Sequence, residues 1–332
     1  MSPLSYLPTY NPVSLYRIAG LATNSSFPSS KTPPLTGKIA VITGGQAGIG
    51  REITAQLLLH DIAKVYILGR SEIKYDEAKR HWHEQKGLAR DDVEARTEFV
   101  KCDLSDIRDV KRAADLLLQK LDRLHMLFNN AGLPPTTNPP LSPQSLDLPL
   151  ATNHLGHYVL TLLLLPLLRD TTALTTPPTP VRIITTSSSF HLLAAPPSQT
   201  LNTPSTCLPS SPFQPAFYTA ILAYGRSKLA NILFTTHLAA LLRASTHPAD
   251  AHIYANAFNP GPVASTPSMD AWRPLVGAAG AWVVRSFFGA TGQTEEGTAS
   301  TALFLGGGEE VVSKGLTGGY WGPMARWEGE EG

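Results

Sequence analysis

Lys38-Ile-Ala-Val-Ile-Thr-Gly-Gly-Gln-Ala-Gly-Ile-Gly50 decides the fold. It runs from a short apolar, β-branched segment into glycines, and an amphipathic helix then begins near Arg51 and continues to about His60. Strand, tight turn and helix in that order are the setting a nucleotide-binding glycine motif requires. Glycines let the backbone approach a pyrophosphate closely, and a helix N-terminus offers it free N–H groups and a partial positive charge. The spacing, Thr43-Gly44-x-x-x-Gly48-Ile49-Gly50, is neither G-x-G-x-x-G nor the P-loop, which would need Gly-Lys-Ser/Thr at its end.

Outward from this stretch, apolar segments alternate with helical ones. Strands are read near 39–43, 64–68, 97–101, 125–129, 181–187, 252–258 and 316–321, with a last helix from Gly297 to Leu305. Such alternation implies a parallel sheet covered on both faces. The expected fold class is therefore α/β, a doubly wound Rossmann-type fold with a central seven-stranded parallel sheet flanked by helices. One domain is placed at 37–322, after an irregular Pro-, Ser- and Tyr-rich extension at 1–36 and before a tail at 323–332.

Two further stretches carry chemistry. Ala223-Tyr-Gly-Arg-Ser-Lys-Leu-Ala-Asn-Ile-Leu-Phe234 reads as helix, so Tyr224 and Lys228 share one face, a turn apart. A nearby cation stabilises phenolate, which predicts a tyrosine pKa lowered toward neutrality and a phenol able to pass a proton to a substrate oxygen. Taken alone, the pair also fits a solvated helix face. Val181-Arg-Ile-Ile-Thr-Thr-Ser-Ser-Ser189 is a β-branched strand ending in hydroxyls, and strand carboxyl ends face the ligand crevice of a doubly wound sheet. Side chains alternate along a strand, so Ser187 and Ser189 are expected to point away from Ser188.

Thr-Gly-x-x-x-Gly-Ile-Gly, then Asn129-Asn130-Ala131-Gly132, then the Tyr224/Lys228 pair, together resemble the short-chain dehydrogenase/reductase family over roughly residues 36–322. Asn153-His-Leu-Gly-His157 and Ser227-Lys-Leu-Ala-Asn-Ile-Leu-Phe234 are similar to its retinol-dehydrogenase-like branch. The resemblance implies a catalytic set of Asn153, Ser188, Tyr224 and Lys228. Hydride moves to a carbonyl carbon, Ser188 and Tyr224 donate hydrogen bonds to the oxygen where negative charge grows, and Tyr224 supplies the proton. By the same resemblance Lys228 also holds the nicotinamide ribose, and Asn153 binds a water leading protons to Lys228.

The cofactor residues implied are Thr43, Gly44, Gln46, Gly48, Ile49 and Gly50, with Asn130, Ala131 and Gly132 bordering the cofactor and Asn129 mainly steadying the sheet. Asp103 matches the residue that accepts from the adenine amino group, or else caps the following helix. Pro260, Gly261 and Val263 match the turn beside the nicotinamide carboxamide, and Ser265 or Thr266 is expected to contact that carboxamide or the phosphates. Gly69 stands where the family's acid would sit and Arg70 follows it. A guanidinium pairs with a 2′-phosphate, so NADP(H) is expected over NAD(H), unless Arg70 merely solvates a strand end.

The 35 residues between Ser188 and Tyr224, Pro/Ser/Thr-rich from 196 to 215, exceed the family's simpler members and are expected to run over the surface near the pocket. Residues 262–292 fall at the family's substrate loop, and Trp272, Trp282, Phe287 and Phe288 there suggest an apolar substrate or a loop packed on the core.

Composition bounds the rest. A chain of 332 residues, 42% apolar, can bury one sizeable core, and a net charge of +1 with scattered basic residues gives no argument for nucleic acid. Cys102 and Cys207 make no disulfide framework and fit a reducing compartment, read as cytoplasmic. His154 and His157, three apart, lack a third ligand nearby, so no metal is expected. Residues 1–36 have no apolar core of a signal peptide. The apolar run Leu155–Leu168, broken by His157 and Pro166, suits a buried helix, with a homodimer interface as an option, better than a membrane span. The function expected is an NADP(H)-dependent oxidoreductase acting on a small apolar ketone, aldehyde or secondary alcohol, with specialised metabolism suggested by the Pro-rich loops. The alternatives are retinol-dehydrogenase-like alcohol oxidation and a non-catalytic dinucleotide-binding scaffold.

Overall fold

The computed structural model describes residues 27–194, 216–261, 294–323 and 326–327, with Gly277 and Trp282. Seven parallel strands form the sheet: β1 (Ile39–Thr43), β2 (Lys64–Gly69), β3 (Thr97–Lys101), β4 (Met126–Asn129), β5 (Val181–Thr186), β6 (Ile253–Phe258) and β7 (Tyr320–Gly322). Their order is β3-β2-β1-β4-β5-β6-β7, and a two-residue β8 (Arg326–Trp327) pairs antiparallel with β7 at the edge. The chain reverses its winding between β1 and β4, which opens a crevice at the carboxyl ends of those strands.

Strands buried on both faces explain the near-continuous apolar runs in the sequence; every residue of β5 is buried. Alternation along β1 sends Ala40 and Ile42 to one core and Val41 to the other. The first core packs α1 (Gly48–Leu59), α2 (Glu72–Lys86), α3 (Arg90–Arg96), α7 (Glu295–Gly307) and α8 (Glu309–Ser313) around Trp82, Phe128 and Phe258. The second packs α4 (Ile107–Lys120), α5 (Leu148–Ala173) and α6 (Ala216–Ala244) around Leu117, Leu127, Leu164 and Ile183. By length and composition α5 could cross a membrane. Its leucines at 160, 164, 167 and 168 are instead spent on the second core.

The closing strand begins at Tyr320, later than 316. Gly318 takes φ +82°, which breaks extended pairing, and the Asn256 side chain replaces it: Nδ2 donates to the Leu316 carbonyl at 2.8 Å and Oδ1 accepts from Gly319 N–H at 3.1 Å. β8 falls within what the sequence reads as tail. Of the 1–36 extension, residues 1–26 lie outside the described residues. So do the 196–215 insert and, except for Gly277 and an exposed Trp282, the 262–292 loop.

Candidate functional site

The crevice holds a cavity of about 560 Å3 that draws on the ends of β1, β2, β4, β5 and β6. Its first part is a cradle of glycines. Gly44 adopts φ +67° and Gly48 φ +51°, the left-handed region that glycine enters without strain. At Gly50 a Cβ would stand 2.3 Å from the Gly44 carbonyl oxygen, so only glycine lets α1 start so close to the turn. Ala47, the residue before α1, gives no side-chain cap, which leaves the first N–H groups of the helix free for a ligand. That arrangement can take a pyrophosphate. Gln46 and Ile49 line the cavity, and Gln46 packs its amide over the space beside Gly69, where a Cβ would stand 2.1 Å from its Nε2.

Thr43 lies behind the cradle. Fully buried, its hydroxyl accepts from the N–H groups of Asn130 and Ala131, both at 2.9 Å, and meets His157 Nε2 at 2.8 Å. The tautomer follows from the partners. His157 Nδ1 lies 3.0 Å from the Asn153 carbonyl, which can only accept, so Nδ1 carries the proton and Nε2 accepts from Thr43. Burial pulls His157 down to about 3 and keeps it neutral. Asn130 donates from Nδ2 to the Thr43 carbonyl at 3.0 Å; Asn129, fully buried, donates to Thr161 Oγ1 at 2.9 Å and steadies the sheet, away from the cavity.

At the end of β2, Arg70 is exposed, lines the cavity and makes no hydrogen bond or ion pair among the described residues. Ser71, which caps α2, and Lys74 line it too. Both went unnoticed in the sequence, although Lys74 stands one helical turn from Arg70. Asp103 also borders the cavity while its Oδ1 accepts from Ser105 N–H at 2.9 Å and Ser105 Oγ at 2.7 Å. The cap of α4 is Asp106, not Asp103. Cys102 is buried at the same wall, and burial pushes its thiol up to about 12, an inert sulfur.

Deeper in the cavity stand Ser188, Tyr224 and Lys228. The expected strand alternation does not extend over the three serines: β5 ends at Thr186, and Ser189 opens a 3-10 turn (Ser189–Leu193) and lines the cavity with Ser187 and Ser188. Ser187 is buried and donates to the Lys228 carbonyl at 2.8 Å, whereas Ser188 hydrogen-bonds to Tyr224. Lys228, 3% exposed, donates to the Thr186 carbonyl at 3.1 Å, and its Nζ lies 5.7 Å from the Tyr224 ring centre. The expectation that Lys228 lowers the tyrosine pKa is corrected. Burial dominates and pushes Tyr224 up to about 12, with the Ser188 hydrogen bond opposing, and pulls Lys228 down to about 8. At neutral pH the phenol therefore holds its proton.

Asn153 sits in a π-helical turn, Ala151–Leu155, within α5. The turn aims its side chain at the loop after Gly132: Oδ1 accepts from Leu133 N–H at 2.7 Å, and Nδ2 donates to the Leu133 carbonyl at 3.2 Å and to Ser227 Oγ at 2.9 Å. A Cβ on Gly132 would stand 3.3 Å from both Asn153 Oδ1 and Lys228 Nζ, so that glycine lets the two approach. Ala131, Pro260 and Gly261 line the cavity, and Asn259, missed in the sequence, fixes the turn by accepting from Gly261 N–H at 3.1 Å. Val263, Ser265 and Thr266 lie outside the described residues. His154 hydrogen-bonds to Asn231, and no group of three metal-capable side chains occurs among the described residues.

The family model "short chain dehydrogenase" matches residues 38–193. A short-chain dehydrogenase/reductase of Armillaria gallica is 35% identical over 239 residues, 70% of this chain and 67% of the relative. Retinol dehydrogenase 12 of Mus musculus is 32% identical over 236 residues, 70% of this chain and 63% of the relative. A short chain dehydrogenase from Escherichia coli CFT073, solved with NADPH, superposes with a TM-score of 0.58 at 21% identity, covering 87% of this chain and 97% of that one. The chain spans from about half to two thirds of the length of the first curated relatives it matches.

Proposed function

The chain belongs to the short-chain dehydrogenase/reductase family, and from that premise we propose that it is an NADP(H)-dependent oxidoreductase for an apolar ketone or aldehyde, or for the corresponding secondary alcohol. One observation carries the reading: a protonated Tyr224 phenol, hydrogen-bonded to Ser188 and a turn from Lys228, lines the same cavity as the glycine cradle. A nicotinamide dinucleotide, when bound, supplies or takes up the hydride. The chain's own residues do the rest. Ser188 and Tyr224 donate to the carbonyl oxygen as charge grows there, and Tyr224 gives up its proton. Lys228 holds positive charge beside the phenolate that results.

NADP(H) is favoured by Arg70, free at the end of β2 beside Lys74, with no acidic side chain at that strand end. Leu133, Pro134, Pro135 and Phe190 favour an apolar substrate. Retinol-dehydrogenase-like oxidation is the second reading, favoured by the likeness to retinol dehydrogenase 12, since the same residues run both directions. A pure scaffold has no need of a phenol, a serine and a lysine gathered in one cavity. A homodimer, a cytoplasmic location and a place in specialised metabolism complete the proposal. NADPH oxidation against a panel of apolar ketones, aldehydes and quinones, with NADH in parallel, tests it. Turnover with NADPH preferred is the expected result; NADPH binding without turnover across the panel would favour the scaffold.

A further inference from the structure

The opposite edge of the sheet, where the strands begin, holds a second cavity of about 430 Å3 that the proposed reaction leaves unused. Arg182 enters it from β5, Lys38 from the residue before β1 and His125 from the residue before β4. Arg182 decides its chemistry. It is 5% exposed, and neither its Nε nor its Nη1 meets an acceptor. The Tyr254 ring, 4.8 Å from the guanidinium carbon, gives it a π face and no lone pair. Burial pulls its pKa down to about 10. Lys38 is likewise held below its ordinary value by burial and then by the charge of Arg182. His125 Nδ1 accepts from the Ile39 N–H at 3.0 Å, so its proton sits on Nε2, another donor. The ring stays neutral, its pKa drawn down to about 4 by burial and then by Lys38.

Against these donors the wall offers one carboxylate, Glu309, which is exposed and joined by no ion pair to Arg182 or Lys38. A buried guanidinium without an acceptor is costly, and the natural remedy is an anion. Two cations and one carboxylate leave a single positive charge to be met. Apart from Ser313 the other walls are apolar, with Met126, Pro180 and Val312 among them, and the volume suits a small molecule. We propose that this cavity binds a small organic monocarboxylate, its carboxylate on Arg182 and Lys38 and its apolar body against Met126, Pro180 and Val312. A phosphate dianion would overcompensate the charge and leave the apolar wall uncovered. The proposal is independent of the oxidoreductase reading.

Thermal unfolding of the full chain, titrated with sodium butyrate at constant ionic strength, tests it. The wild type should gain a saturable rise of a few degrees. Arg182→Met should start from a higher Tm, because an unpaired buried charge is gone, and should not respond. Lys38→Gln should weaken the apparent affinity about tenfold, and Glu309→Gln should tighten it. If Arg182→Met does not fold, the opposed shifts of the other two variants decide the matter. No saturable response in the wild type, or an unchanged response in Arg182→Met, overturns the site. An Arg182-dependent response larger for phosphate than for butyrate overturns the monocarboxylate.

Discussion

Burial, which raises the pKa of Tyr224 and lowers that of Lys228, sets the chemistry at the residue scale. Lys228 is held at about 8 against an ordinary 10.5, so between those values the unfolded chain binds more protons than the folded one. Stability therefore rises with pH across that window, and the cost of the buried charge is fully present below it. In Lys228→Met, urea unfolding from pH 8 to 10 should show that rise flattened, with about 3 kcal/mol lost from it over the full window. A wild-type slope in the variant would contradict the shift. The two serines make a second test. Ser188→Ala should lower kcat about 10²- to 10³-fold, since it removes a donor to the developing oxyanion. Ser187→Ala removes a hydrogen bond to the Lys228 carbonyl and should cost about 1 kcal/mol of stability, with a far smaller loss of kcat. Equal kinetic losses would contradict the assignment.

Elements bring these residues together through a few buried polar ties. Arg226 on α6 and Asp147 at the start of α5 pair at 2.9 Å with 2% and 4% of their side chains exposed. Asp147 also accepts from Leu150 N–H at 3.1 Å, capping the first turn. Asp147→Ala should remove the carboxylate from a buried ion pair and cost about 3–5 kcal/mol, read as a fall in Tm with the far-UV spectrum retained below it. A change under about 1 kcal/mol would show the pair to be dispensable. The sequence made the elements legible where burial imposes a pattern: the apolar β-branched runs of β1, β2 and β5, and the glycines around α1. Ser188 is legible only through the family resemblance, because β5 ends at Thr186 and strand alternation does not reach it. The π-helical turn at Asn153 has no such pattern, because it depends on side-chain ties to Leu133 and Ser227. The tyrosine shift is not legible in the sequence, because charge spacing shows on a helix and depth of burial does not. Arg182 looked like an ordinary strand residue for the same reason. β8 is too short to carry any periodicity, and the capping role of Asp106 was masked by Asp103 three residues before it.

At the scale of the whole molecule, α5 and α6 lie side by side, with Tyr158 and Phe234 in edge contact at 5.3 Å. Around that contact Tyr158, Leu162, Leu233 and Leu241 stay exposed, an apolar face of the kind that oligomers bury. The proposed homodimer should therefore form across this face. Sedimentation should give a dimer for the wild type and a monomer for Leu162→Asp/Leu241→Glu; a monomeric wild type would remove the proposal. The glycine cradle and Tyr224, at the two ends of the crevice, form one proposed oxidoreductase site. Its most direct test is Tyr224→Phe, assayed for NADPH binding by fluorescence and for turnover of the best carbonyl substrate. Binding within about twofold of wild type, with kcat lower by about 10²- to 10⁴-fold, is the predicted result. A variant that keeps near wild-type turnover would contradict it.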